Sequence, residues 1–125
     1  MIIIAAVVSL VLLGALAVFQ GLLAAGQPLG RYAWGGQHAV LPARLRTGSV
    51  VSIVLYAVFA LLILQAADLL DLVPDGVASV AIWVLTGYFV LGIAMNAMSR
   101  SRPERLAMTP VVAVLAVCCL ALAVQ

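Results

Sequence analysis

The residues of this chain with the clearest chemical potential are its arginines, which account for all six basic side chains. A guanidinium group pairs bidentately with phosphate, so clustered arginines could bind anionic lipid head groups. Retention of basic loops on the cytoplasmic side of a membrane explains the same clustering without any ligand. The arginines lie in two short stretches, as Arg31, Arg44 and Arg46 and as Arg100, Arg102 and Arg105.

The first basic stretch also contains the unusual segment Tyr32-Ala33-Trp34-Gly35-Gly36-Gln37-His38. His38 is the only histidine of the chain, and a single histidine in a loop is usually a surface hydrogen-bonding residue. Trp34 suits the membrane interface, and the two glycines permit turns that bring backbone donors near a phosphate. We therefore expect residues 34–38 to fold back on the protein as an ordered cap. The candidate head-group or ligand residues are Arg31, Trp34, Gln37, His38, Arg44, Arg46 and Arg105.

Mildly polar side chains form a second candidate site within the apolar segments. Tyr88 and Asn96 lie eight residues apart, and Ser52 and Tyr56 lie four apart, so each pair shares one face of a helix. Two such faces could line a narrow pathway or a head-group pocket. Hydrogen bonding between helices is the more ordinary use of these residues in membrane bundles, and we favour it.

The sequence contains no pattern typical of catalysis or metal binding. No ionisable side chain falls deep within an apolar segment, which argues against proton-coupled transport. The single histidine has no neighbouring carboxylate, and Cys118 and Cys119 are adjacent in an apolar run, where packing is their usual role. We predict no catalytic residue, no metal site and no cofactor.

The elements that must position these residues are membrane-spanning helices. Hydrophobic residues make up 67% of the chain and charged residues 8%, whereas about a quarter of a soluble domain is charged. Four uncharged stretches reach the roughly 20 residues that a helical span needs. The sequence predicts an all-α integral membrane four-helix bundle in one domain, 1–125. The predicted spans lie near 2–25, 49–69, 77–98 and 108–124.

The charges predict the orientation of this bundle. Arginines are confined to loops 26–48 and 99–107, which we expect to be cytoplasmic. The loop between the second and third spans contains aspartates and no basic residue, so it and both termini are predicted to lie outside. Thr109-Pro110 has the form of a helix start and is predicted to open the fourth span.

Two weaker patterns concern symmetry and assembly. Pro42-Ala43-Arg44-Leu45 and Pro103-Glu104-Arg105-Leu106 lie about half the chain apart. They indicate either a parallel repeat of two hairpins, as some transporters have, or chance reuse of a helix-start motif. Small residues at Ala17, Gly21 and Ala25 form a stripe that favours close helix packing, within the chain or with a second copy.

The two loop motifs support a resemblance. Residues 32–38, Leu41-Pro42 with Arg44-Leu45-Arg46, and the stretch from Ser99 to Arg105 together resemble a group of small uncharacterised bacterial four-span membrane proteins. This resemblance implies the fold and the membrane location but no activity. Small multidrug-resistance transporters and fluoride channels have a similar size, but the chain lacks the glutamate in the first span of the former and the break in the third helix of the latter.

These observations predict a multi-pass protein of a bacterial inner membrane. The leading function is a non-catalytic component that binds membrane lipids, with anionic lipids among the candidates, or a partner membrane protein. A small-solute channel or facilitator formed by an oligomer is the first alternative, and a membrane-embedded enzyme acting on a lipid phosphate is the second. We expect a homo-oligomer or a complex with another membrane protein, and no nucleic-acid partner.

Overall fold

The computed structural model describes all 125 residues and contains four long helices and no strands. The helices are 22 to 24 residues long, and each is apolar and long enough to cross a membrane. The structure therefore confirms an all-α fold of four helices, each able by length and composition to span a membrane. The helices are α1 (Ile2–Ala24), α2 (Ala43–Ala66), α3 (Asp75–Ala97) and α4 (Arg102–Ala123), and two short 3-10 helices, Gly30–Tyr32 and Trp34–Gly36, lie between α1 and α2.

Helix α2 starts six residues before its predicted span. Pro42 immediately precedes the helix, whose first turn contains Arg44. Proline suits this position because it has no backbone N–H, and an N–H at the start of a helix would have no partner within the helix. At its other end the helix stops at Ala66, three residues short of the predicted boundary, where Asp68 takes a left-handed conformation with φ +61°.

The predicted start of the fourth helix at Thr109-Pro110 is wrong. Helix α4 begins at Arg102, and Ser101 caps it by accepting a 3.5 Å hydrogen bond from the Glu104 amide. This serine is three residues from a glutamate, and Pro103 lies in the first turn, so the signal for a helix start is satisfied earlier in the chain. Pro110 lies inside the helix, which tolerates it by giving up one backbone hydrogen bond.

The four helices form a ring in chain order. The hairpins α1–α2 and α3–α4 pair closely, α1 also packs on α4, and the contact between α2 and α3 is the thinner closing side. Fully buried side chains such as Leu13, Ile63, Leu115 and Cys119 form the core. They lie towards the end that holds the aspartate-containing loop, here called the acidic end. The opposite end, which holds both arginine-containing connections, is called the basic end.

Apolar side chains cover the outside of the ring. Val11, Val84 and Val117 are 65%, 66% and 66% exposed, respectively. Patches of this kind are rare on soluble monomers, and lipid accounts for them on a membrane bundle. The expected close contact at Gly21 is not formed within the chain, because a Cβ placed there meets nothing within 4 Å.

A lateral cavity at the basic end

The loop between α1 and α2 has a small core of its own. Leu23 from α1 packs with Ala33 and Leu41 of the loop, and all three are buried. The Gly30 amide donates a 2.9 Å hydrogen bond to the Ala39 carbonyl. A Cβ at Gly30 would overlap the His38 carbonyl oxygen, so only glycine fits this crossing of the chain.

Trp34 anchors the loop to helix α2. Its indole nitrogen donates a 3.4 Å hydrogen bond to the buried Ser49 hydroxyl. The ring lies over Gly48, where a Cβ would be 2.8 Å from two indole carbons. Because Gly48 has no side chain, the ring fits against the helix at this position, and the next residue, Ser49, accepts the hydrogen bond.

The next residues of the loop bind helix α4. The Gly35 amide donates a 3.1 Å hydrogen bond to the Glu104 carboxylate, and the Ser101 hydroxyl donates to the Arg31 carbonyl. Gly35 and Gly36 have φ of 76° and 72°, values that favour glycine. Residues 34–36 therefore fold back on both α2 and α4, which agrees with the expected cap.

Beneath this cap lies a cavity of about 550 Å³, within the range typical of small-molecule sites. The loop forms its top, and all four helices contribute to its walls. Twelve of its 17 lining residues are hydrophobic. The loop contributes Trp34 and Gly35, and the helices contribute, among others, Tyr56, Asn96 and Glu104.

The cavity opens sideways, along the outer surface of α3. Tyr88, Leu91 and Met95 line it and yet are 50%, 61% and 66% exposed. At a rise of about 1.5 Å per residue, Tyr88 lies about 14 Å along the helix from Ala97. The opening therefore extends through roughly half of a hydrocarbon core about 30 Å thick.

The inner end of the cavity is closed by aromatic rings. The Phe59 ring centroid lies 5.3 Å from that of Tyr88 and 5.8 Å from that of Phe89. Tyr56 lies beside Phe59 with its centroid at 6.3 Å. These contacts join α2 to α3, so the cavity is a pocket with a floor rather than a pore through the bundle.

Polar groups occur at two levels of this pocket. Near the cap, Glu104 is only 8% exposed, and Asn96 donates a 2.8 Å hydrogen bond to the Gly92 carbonyl of its own helix. Deeper in, the Gln20 amide nitrogen donates to the Tyr56 hydroxyl at 3.5 Å. The carbonyl oxygen of the same Gln20 side chain is buried and has no hydrogen-bond partner.

The structure combines two candidate sites that the sequence treated as separate. Trp34 of the cap and Tyr56, Tyr88 and Asn96 of the polar faces line the same cavity. Ser52 does not line it and instead donates to the Gly48 carbonyl at 3.0 Å.

The arginines lie outside the cavity. Arg46 donates to the Leu41 carbonyl at 2.8 Å, and Arg105 donates to the Ser99 carbonyl at 3.1 Å, so both stabilise loop backbone. Arg31 lies over the Tyr32 ring, 5.1 Å from its centroid, and Arg44 is exposed. Gln37 is exposed and His38 half-buried, and neither side chain makes a hydrogen bond within the protein or lines the cavity.

Sequence reasoning missed Glu104 and Gln20 as site residues. Glu104 lies among arginines in a stretch interpreted as a cytoplasmic loop, and its burial depends on α4 starting at Arg102. The available signal was the capping pattern from Ser101 to Glu104, which places Met108 one turn further along on the same helix face. Gln20 lies in an apolar span whose only other polar side chain is Ser9, and nothing in its spacing indicates its partner.

Comparison of the chain with protein-family models, with curated proteins and with solved structures gives no match. The geometry of the cavity is therefore the basis for a functional proposal. His, Cys, Asp and Glu side chains form no group of three or more that could hold a metal ion, whereas the cavity offers apolar walls and a few polar groups to an organic ligand.

Proposed function

We propose that this protein is a non-catalytic component of a bacterial inner membrane that binds a lipid or a similar amphiphile in the lateral cavity. The observation that carries the proposal is the position of the opening. Tyr88, Leu91 and Met95 border it on the surface of α3 that faces hydrocarbon, so an acyl chain could enter directly from the bilayer. The polar groups near the cap would then meet the head group.

The closed inner end supports this proposal over the alternative of a channel. A pore needs a continuous polar path across the membrane. Here the aromatic contacts of Phe59 with Tyr88 and Phe89 join α2 to α3 below the cavity. The mainly apolar lining also favours a hydrocarbon chain over a hydrated solute.

Filling the cavity should remove the bound lipid. We expect Met108→Trp to reduce lipid retention at least tenfold, because Met108 lines the cavity and a larger ring there occupies the space for an acyl chain. The matched control is Val117→Trp on the same helix, which is 66% exposed and lies outside the cavity. Native mass spectrometry with defined lipids measures the retention. Equal retention by the two variants would contradict the proposal.

The arginines provide a second candidate contact, with anionic head groups at the membrane surface. Arg44 and Arg102 are exposed at the basic end. In the same experiment, loss of phosphatidylglycerol from Arg44→Ala but not from Met108→Trp would assign anionic lipid to this surface. Unchanged binding to Arg44→Ala would leave the arginine as a topology signal.

The proposed orientation places the basic end in the cytoplasm and the acidic loop and both termini outside, because arginines and aspartates are completely segregated. Single cysteines in a background lacking the native pair test this. Leu72 and Gln37 are both exposed on the protein surface, so only their side of the membrane should decide whether a cysteine there reacts. We expect an impermeant thiol reagent added to intact cells to label Leu72→Cys and not Gln37→Cys. The reverse pattern would overturn the orientation, and labelling of both would indicate dual topology.

A homo-oligomer and a parallel two-hairpin repeat remain part of the proposal. In support of the repeat, each Pro-x-Arg-Leu motif lies at the start of a helix, α2 or α4. In support of assembly, Gly21 leaves open space on the outer surface of α1, where another helix could approach closely.

A further inference from the structure

We propose that the cavity selects ligands that carry a monovalent organic cation, held by the Glu104 carboxylate. The inference rests on the proposed function, since it specifies the head group of the amphiphile bound there. The ligand chemistry is an alkyl or aryl ammonium or a comparable lipophilic cation.

The charge of the site is the first argument. Glu104 is the only charged side chain among the residues that line the cavity. It is buried, with 8% of its surface exposed, and no arginine or histidine nitrogen lies within 4.0 Å of its carboxylate. A buried carboxylate without a cationic partner is strongly unfavourable. A cationic ligand would supply the missing partner.

The absence of an ion pair at Glu104 is informative because two arginines lie in the segments around it. Arg105 is the next residue on α4, but its guanidinium binds the Ser99 carbonyl instead. Arg31 is in the loop that covers Glu104, but it stacks on Tyr32. One arginine adjacent in sequence and one in the covering loop thus bind other groups. The only hydrogen bond that the protein makes to the carboxylate comes from the Gly35 amide. One carboxylate oxygen is therefore free for a ligand.

The aromatic lining is the second argument. Tyr32 and Trp34 line the cavity on the cap side, and Phe19, Tyr56, Tyr88 and Phe89 line it further in. Aromatic faces attract organic cations, and cages of aromatic rings are the usual recognition site for quaternary ammonium groups. A carboxylate combined with aromatic walls favours a cation that is also lipophilic over an inorganic ion, which would lose its hydration shell in such a cavity.

Two sources offer this chemistry, namely the head group of an aminolipid and a free lipophilic cation. Phosphatidylethanolamine and phosphatidylglycerol differ in the ammonium group, so they test the first source. Tetraphenylphosphonium and tetraphenylborate have nearly the same size and shape but opposite charge, so they test the second. The Glu104→Gln substitution removes the charge while keeping an oxygen that can accept from the Gly35 amide.

The experiment uses the full chain in detergent with Trp83→Phe, which leaves Trp34 in the cavity lining as the only tryptophan. Trp34 fluorescence is measured as each ligand is titrated, and native mass spectrometry measures how much of each lipid is retained. We expect Glu104→Gln to weaken tetraphenylphosphonium or phosphatidylethanolamine binding at least tenfold. Tetraphenylborate and phosphatidylglycerol binding should stay the same or strengthen.

The outcomes separate the two proposals. If Glu104→Gln binds cationic and anionic ligands as the unsubstituted chain does, the cation inference fails, while loss of lipid from Met108→Trp still supports lipid binding. If Met108→Trp also retains all ligands, the cavity is not the binding site and both proposals fail. A brominated alkyl maltoside, which is neutral, should quench Trp34 equally with and without Glu104→Gln; unequal quenching would show that the substitution disturbs the cavity itself and would overturn the assignment to charge.

Discussion

Replacing Gly30 with alanine is expected to detach the basic loop from the bundle and to abolish ligand binding in the cavity. The added methyl group would overlap the His38 carbonyl oxygen at the point where the loop crosses itself. The crossing is also fixed by the hydrogen bond from the Gly30 amide to the Ala39 carbonyl, so the backbone cannot move away without losing it. We expect a loss of at least about 2–3 kcal/mol in the free energy of unfolding.

With Trp83→Phe in the background, fluorescence comes from Trp34 alone and reports this change, because the indole no longer lies over Gly48 when the loop detaches. The matched control is Gly87→Ala, since a Cβ at Gly87 within α3 meets nothing within 4 Å. Alanine there should leave the loop unaffected and stabilise the helix by up to about 1 kcal/mol. A folded loop in Gly30→Ala, with unchanged Trp34 emission, would contradict the role given to this crossing.

Replacing Gln65 with alanine is expected to destabilise the other end of the bundle by about 3 kcal/mol, since each of three hydrogen bonds contributes on the order of 1 kcal/mol. Gln65 lies at the end of α2 and is buried. Its amide nitrogen donates to the Val73 carbonyl at 2.6 Å, and its oxygen accepts from the Leu72 and Val73 amides, both at 3.1 Å. One side chain thus satisfies the backbone of the acidic loop.

Thermal unfolding in detergent measures the effect, and Gln27→Ala is the control because Gln27 is exposed in the basic loop and makes no side-chain hydrogen bond. Gln65→Glu keeps the acceptors but replaces the donor with a buried carboxylate oxygen that faces the Val73 carbonyl. We therefore expect it to be at least as destabilising as Gln65→Ala. A change below about 0.5 kcal/mol for Gln65→Ala, the usual scale of a surface substitution, would show that the loop does not depend on these bonds.

The membrane fold could be predicted from sequence because it depends on composition and on the spacing of charges. Four uncharged stretches of sufficient length lead directly to four helices. Helix ends were less predictable, since capping signals compete. The pattern at Thr109-Pro110 is a good local start, but the pair Ser101 and Glu104 offers the same signal earlier, and only the packed structure shows which one is used.

The cavity could be predicted only in part. Helical spacing identified the polar faces with Tyr56, Tyr88 and Asn96, and the aromatic and glycine content indicated an ordered cap with Trp34. Whether these groups meet depends on how the helices are arranged in the ring, which spacing along the chain does not specify. The burial of Glu104 was missed for the same reason, because it results from a loop that is distant in sequence.

The contacts of the cap also determine when this part of the structure can form during synthesis. Its contacts to α4, from Gly35 to Glu104 and from Ser101 to Arg31, join residues 69 and 70 positions apart. Helices inserted into a membrane form before they pack on one another. The loop therefore lacks its contacts to α4 until that helix has left the ribosome. The cavity can therefore be completed only after the first half of α4, with Glu104 and Met108, has been made. A nascent chain that stops before α4 lacks the Glu104 and Met108 side of the cavity, and its loop lacks the contacts to Ser101 and Glu104.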